Sequence, residues 1–259
     1  MKLLKKVTRK EKPVQHKGNL QVLDGISAIH LVEGYTGASL HEASDMMAAV
    51  GESVCGKRSA IILTGDSTAK AESLIESLSD KRVPLVIHLI AGIDGLANPT
   101  RTGYEIVQLF QKEGYPQFFA STVQEVVDFT CMGHRIAERA LTPVVIIQDA
   151  RLTGHSIQSV RVIAEKIIHK FLDRVDDTIP SPTPSQEMLF GEKRPAIPRW
   201  MNPDRPVGLG FRFRDPLHNK AVTTRDFFFQ RHLNEIITET RNAFTEISGI
   251  HYQDFQANN

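Results

Sequence analysis

Between Leu20 and Leu172 the apolar residues change spacing repeatedly, from three- and four-residue steps to unbroken runs. Such changes predict alternating helices and strands. From His41 to Cys55, Ala43, Met46, Met47, Val50 and Val54 form one apolar stripe, so the pattern predicts a helix there, stopped at Gly56. Ser59–Leu63 is a short apolar strand that runs into a polar loop, Thr64-Gly65-Asp66-Ser67. Asp66 or Ser67 can cap a following helix that carries Leu74, Ile75 and Leu78. Pro84–Ile90 is a near-continuous apolar strand, as expected where helices cover both faces of a sheet.

The alternation continues through a loop with Gly92, Gly95, Asn98 and Pro99. A helix follows on Tyr104, Val107 and Phe110, then a short strand at Gln117–Ala120. Thr122 is an N-cap with Glu125 three residues on, the signature of a capping box, and that helix reaches Leu141. Val144–Gln148 is the next strand, and Asp149–His155 the loop at its carboxyl end. The order predicts a three-layer α/β/α fold around a mainly parallel sheet.

Prolines then break the pattern. Ile179–Pro184 reads I-P-S-P-T-P, and further prolines stand at 195, 198, 203 and 206. The chain therefore divides into a basic tail at 1–18, an α/β unit at 19–172, an extended crossing segment at 173–223 and a C-terminal helix at 224–250. Trp200, Leu209, Phe211 and Phe213 give the crossing segment groups that pack onto a surface, its own or a partner's.

Composition narrows the function classes. The 259 residues carry a formal net charge of +1, without the basic excess that a polyanion partner needs. The tail holds Lys2, Lys5, Lys6, Lys10, Lys12 and Lys17, but no aromatic residues are interleaved for stacking on bases, and no nucleic-acid role is expected. No apolar run is long enough to span a bilayer, so no membrane insertion is expected. The two cysteines, Cys55 and Cys131, are too few to ligate an iron–sulfur cluster and imply no disulfide framework, which fits a cytoplasmic protein. No metal site is read from the residues.

In an open parallel sheet ligands sit at the carboxyl ends of the strands. That directs attention to Thr64–Ser67, Ala91–Arg101 and Asp149–His155, with Glu42 beside them. Each has a purely structural reading as well. A glutamate near a helix start complements the helix dipole. Asp66 can be a helix cap, and Asp149 can satisfy its own loop's backbone amides. His134 lies on an apolar helix face with Val127 and Cys131 and reads as a hydrogen-bonded core histidine.

Gln148-Asp149-Ala150-Arg151-Leu152-Thr153-Gly154-His155 resembles the strand and loop of pyruvate:ferredoxin oxidoreductases, in which an Asp precedes G-F-R-T-S-H-E. Ser121-Thr122-Val123-Gln124-Glu125 with Asp128 is similar to that family's S-V-Q-E-x-x-D helix start. Trp200–Asp204 and the last helix look like its N-P-containing crossing segment and the helix that ends its first domain. The resemblance covers most of residues 20–250 and implies a thiamine-diphosphate-binding fold of the pyrimidine type, standing alone.

In register, Glu42 falls on the family's thiamine-binding glutamate. A carboxylic acid there hydrogen-bonds N1′ of the aminopyrimidine and favours the imino tautomer, whose 4′-nitrogen takes up the C2 proton. The resemblance implies Glu42 as the catalytic residue. Glu42, Thr64, Gly65 and Asp66 would be cofactor-binding, and Arg101, Thr153 and His155 substrate-binding. Thiamine diphosphate and Mg²⁺ would be shared with a pyrophosphate-binding partner subunit. Fe–S clusters would lie only on partner subunits, with a ferredoxin-type acceptor beyond. The chain alone would be inactive. Two departures bear on the pocket. The family's Y-P-I-T-P-S loop has no counterpart between Val32 and Gly37, and its substrate-carboxylate arginine stands as Gly92. Two readings stay open: an α-type subunit of a 2-oxoacid:ferredoxin oxidoreductase that converts a 2-oxoacid to an acyl-CoA, and a catalytically degenerate subunit kept for assembly.

Overall fold

The fold comes from a computed structural model; the structure describes residues 15–64, 75, 78, 82–92, 104–201 and 230–253. Its centre is a five-stranded, wholly parallel sheet in the order β2 (Ser39–Glu42), β3 (Ser59–Thr64), β4 (Val86–Ala91), β6 (Val144–Asp149) and β5 (Gln117–Ala120). The three strands predicted from apolar runs are adjacent and parallel, as the alternating pattern required. Every side chain of β4 is buried, because both faces are covered. Register explains the sorting: Ala60, Ile62, Val86, Ile90 and Ile146 point into one core, and Ile61, Leu63, Ile87, Leu89 and Ile147 into the other.

The first core is closed by helices α1 (Gly25–Thr36), α4 (Val123–Ala140), α5 (Glu165–Leu172) and α7 (Leu233–Ser248). The second is closed by α2 (Met46–Val54), α3 (Glu105–Lys112), the buried helical residues Ile75 and Leu78, and Trp200. Trp200 packs against Phe190 with ring centres 5.2 Å apart and tilted by 58°, and its backbone N–H donates to Val54 O, so the segment after residue 173 is tied to this face. That segment carries a small antiparallel pair, β8 (Thr178–Pro180) and β9 (Lys193–Pro195), around α6 (Pro184–Phe190).

Local signals account for the helix ends. Thr122 Oγ1 accepts the Glu125 N–H at 3.2 Å, and the Glu125 carboxylate accepts from Ser121 N at 2.6 Å, so the capping box closes one residue earlier than its simplest form. The apolar pattern gives no signal for α1, although Asp24 caps it through Ser27 N and Gly37, at φ +73, ends it. The helix expected from His41 is shorter: residues 39–42 form β2, and α2 starts at Met46. Pairing of Ser39–Glu42 with Ser59–Ile62 supplies a ladder that outweighs the helical stripe, which becomes unbroken only from Met46.

β1 (Asn19–Leu23) and β7 (Gln158–Val162) form a separate antiparallel pair beside the sheet. A buried ion pair links the helical layer to β3: Arg58 donates to Glu138 Oε1 at 2.5 Å and Oε2 at 3.0 Å, and also to the carbonyls of Thr36 and Asp173. No described helix is long and apolar enough to cross a membrane.

Candidate site at the carboxyl ends of the strands

Four strand ends line one rim of the sheet: Glu42 on β2, Thr64 on β3, Ala91 with Gly92 on β4, and Asp149 on β6. Glu42 is the last residue of an edge strand, opposite Ile62, and its backbone is extended. It precedes a 3₁₀ turn, Ala43–Asp45, yet its side chain makes no capping hydrogen bond. The carboxylate is exposed. One turn further on, Met47 is also exposed, at 68%. On the other side of the strand end, His41 pairs with Glu52 at 3.3 Å.

Thr64 is the exposed end of β3, next to Glu42 in strand order. Gly65, Asp66 and Arg101 lie outside the described residues. Thr153 and His155 follow β6, three strand spacings from β2, roughly 14 Å along the rim. The rim thus places Glu42 and Thr64 in one group and Thr153 and His155 in another. Thr153 is fully buried, and its hydroxyl donates to Asp149 O at 2.9 Å. His155 is exposed and lies close enough to Asp24 for its charge to help hold that carboxyl low, after the larger effect of the Ser27 backbone N–H.

The second group is built around Asp149. Its Oδ1 accepts the backbone N–H groups of Arg151 at 2.9 Å and Leu152 at 2.8 Å, so it does satisfy its own loop, a π-helical turn over Ala150–Gly154. Its Oδ2 accepts the Tyr104 hydroxyl at 2.6 Å. Partial burial opposes ionisation most strongly, but these donors and Arg151 together hold the Asp149 carboxyl below its ordinary value. Tyr104 moves the other way: burial first, then the bond to and charge of Asp149, push its hydroxyl up to about 12. The apolar pattern gave Tyr104 only as a helix residue. Its hydroxyl contact spans 45 positions and has no local signal.

The start of α1 closes against this turn. A Cβ at Gly25 would stand 2.2 Å from Gln148 Oε1 and 2.7 Å from Thr153 O, so only glycine permits the approach. Gly92, at φ +102, leaves β4 in a conformation that other residues rarely adopt.

Residues 31–225 match the family described as pyruvate flavodoxin/ferredoxin oxidoreductase, thiamine diphosphate-binding. Among curated proteins the chain is similar to ketoisovalerate oxidoreductase subunit VorA of Pyrococcus horikoshii, at 26% identity over 134 residues, 51% of this chain and 33% of that protein. It is similar to pyruvate synthase subunit PorA of Thermotoga maritima at 25% identity, covering 54% of this chain and 36% of that one. A longer match, at 22% identity over 83% of this chain and 50% of the other, is with PorA of Pyrococcus abyssi. The chain therefore spans a third to a half of the length of these relatives. The fold resembles 2-oxoglutarate:ferredoxin oxidoreductase from Magnetococcus marinus, with a TM-score of 0.57 and 13% identity over 84% of this chain and 46% of that one.

Proposed function

The chain belongs to the thiamine-diphosphate-binding family of pyruvate flavodoxin/ferredoxin oxidoreductases, and we propose that it acts as an α-type subunit of a cytoplasmic 2-oxoacid:ferredoxin oxidoreductase. The observation that carries this reading is the placement of Glu42. The carboxylate that falls in register with the family's cofactor-binding glutamate ends a parallel strand, is exposed and is not used as a helix cap.

The described residues fit the aminopyrimidine side of thiamine diphosphate. An exposed carboxyl at a strand end can hold a proton at a ring nitrogen, N1′, and orient the ring. Thr64, on the neighbouring strand, supplies a second polar group. The described residues include no group of three His, Cys, Asp or Glu able to hold a metal ion. Mg²⁺ and the diphosphate would be held with a partner subunit, and the Fe–S clusters would lie on partner subunits. When bound, thiamine diphosphate would supply a nucleophilic carbon for the chemistry of a 2-oxoacid. Glu42, on this chain, would hold a proton at N1′. His155, exposed beyond the buried Thr153, would face the side where the 2-oxoacid lies.

A second reading has its own observation. α1 runs through Thr36 and passes into β2 across Gly37 and Ala38 alone, with Ala38 N bonded back to Glu33 O. Among the described residues, nothing between α1 and β2 matches the family's Y-P-I-T-P-S segment. A subunit kept for assembly would tolerate that loss.

Purification of the native complex, with its subunits and bound cofactor identified by mass, separates the two readings. The enzymatic reading expects thiamine diphosphate in amounts matching this chain. A stable complex free of thiamine diphosphate, and unable to take it up with Mg²⁺, would support the assembly role instead.

A further inference from the structure

Tyr104 and Asp149 meet where the sheet's connections diverge. β4 and β6 are neighbours, yet the chain leaves β4 toward α3 on one face and leaves β6 toward β7 and α5 on the other. Open parallel sheets hold ligands in the crevice at such a point. On the β4 side Gly92 lies against the β6 turn: a Cβ there would sit at ordinary contact distance, 3.6 Å, from both Asp149 Oδ2 and Ala150 Cβ. On the β6 side Asp149 holds the turn Ala150–Gly154 through two backbone N–H groups. Its other oxygen takes the hydroxyl of Tyr104, the residue that leads into α3. One carboxylate thus joins the walls from both strands.

We propose that Tyr104 and Asp149 are a positioning pair for a 2-oxoacid site: Tyr104 fixes the Asp149 carboxylate, and Asp149 fixes the turn that walls the crevice and carries His155. The identity of the ligand rests on the function proposed above; the role of the pair in holding the turn does not. The logic is that of an outer hydrogen-bond layer. A carboxylate that already accepts two backbone donors still pivots about them, and the third, charge-assisted bond removes that freedom. Neither residue needs to touch the substrate.

The full chain supplies one test and the native complex another. In the full chain, hydrogen exchange of the peptide covering residues 150–156 is compared among wild type, Tyr104→Phe, Asp149→Asn and Asp149→Ala. Tyr104→Phe removes one charge-assisted bond, so exchange there should rise about tenfold, with α4 unchanged. Asp149→Asn keeps an oxygen for the two N–H groups and should rise less, while Asp149→Ala should rise most. In the complex, Tyr104→Phe should raise KM for the 2-oxoacid about tenfold, leaving kcat and thiamine diphosphate content near wild type, with Asp149→Asn closer to wild type in KM. Unchanged exchange in Tyr104→Phe overturns the pair. Raised exchange with an unchanged KM in an active complex reduces it to loop packing and overturns the positioning role. A wild-type complex that turns over no 2-oxoacid removes the functional reading and the 2-oxoacid role with it, and exchange alone then decides whether the pair holds the turn.

Discussion

Glu33 Oε1 lies 2.5 Å from His88 Nε2 in the middle of the helix–sheet core, with each side chain 1% exposed. The other carboxylate oxygen, Oε2, is 2.6 Å from His134 Nε2 and accepts the Thr36 hydroxyl at 3.0 Å. An ionised carboxylate only accepts, so both imidazoles present an Nε2–H to it. α1, β4 and α4 are joined at this one group.

Burial opposes the charge on Glu33 most strongly, but the attraction and hydrogen bonds of His134 and His88 outweigh it and hold the carboxyl far below its ordinary 4.5. A depressed acid contributes stability above its unfolded pKa and loses it as pH falls toward the folded value. Glu33→Leu should therefore cost about 3–5 kcal/mol at pH 7, since it strands two buried histidines. The gap to wild type should narrow below pH 4.5. Urea unfolding at a series of pH values measures both.

Asp128 behaves in the opposite sense. It accepts from Tyr252 at 2.7 Å and Gln124 at 3.1 Å, and lies 3.1 Å from His16, which ties His16 and Tyr252 to α4. Burial still dominates those partners and pushes its carboxyl above 3.8. The folded state then favours the protonated acid, so this group's contribution to stability falls as pH rises from 3.8 to its folded value. Asp128→Asn should leave stability at pH 7 within about 1 kcal/mol of wild type and flatten that slope. A loss of several kcal/mol in thermal or urea unfolding would show that the ionised form is required as an anchor.

The two cysteines should differ in reactivity. Cys55 is exposed, while Cys131 is buried, and burial together with Asp128 and Glu33 pushes its thiol well above the ordinary 9.0. The thiolate is the reactive form. A chromogenic disulfide reagent should titrate one thiol in the native chain and both after denaturation. Fast labelling of both native thiols would mean that α4 opens readily from the sheet.

Strands β3, β4 and β6 were legible because burial on both faces demands continuous apolar runs, and those runs carry the signal themselves. β2 was not. Ser39-Leu40-His41-Glu42 is a short edge strand with no β-branched residue, and its ladder with β3 is a non-local fact. The place of His134 in the core was readable from its helix face, but its partner, 101 residues away, was not. The site divides the same way. Glu42 is found through resemblance, and Asp149 through its short-range turn chemistry. Tyr104 becomes visible only when β4 and β6 lie side by side. The distance along the rim between Glu42 and His155 follows from strand order, which sequence spacing does not encode.

The central claim is that Glu42 serves the chemistry of a bound thiamine diphosphate, and the most direct measurement is 2-oxoacid-dependent acceptor reduction by the native complex carrying Glu42→Gln. Glutamine keeps the size and a hydrogen bond but cannot share a proton with N1′. Turnover should fall by about two to four orders of magnitude, the range for a positioned acid–base group, with the complex intact and cofactor content little changed. A Glu42→Gln complex that turns over at the wild-type rate would contradict the account and leave the assembly role in its place.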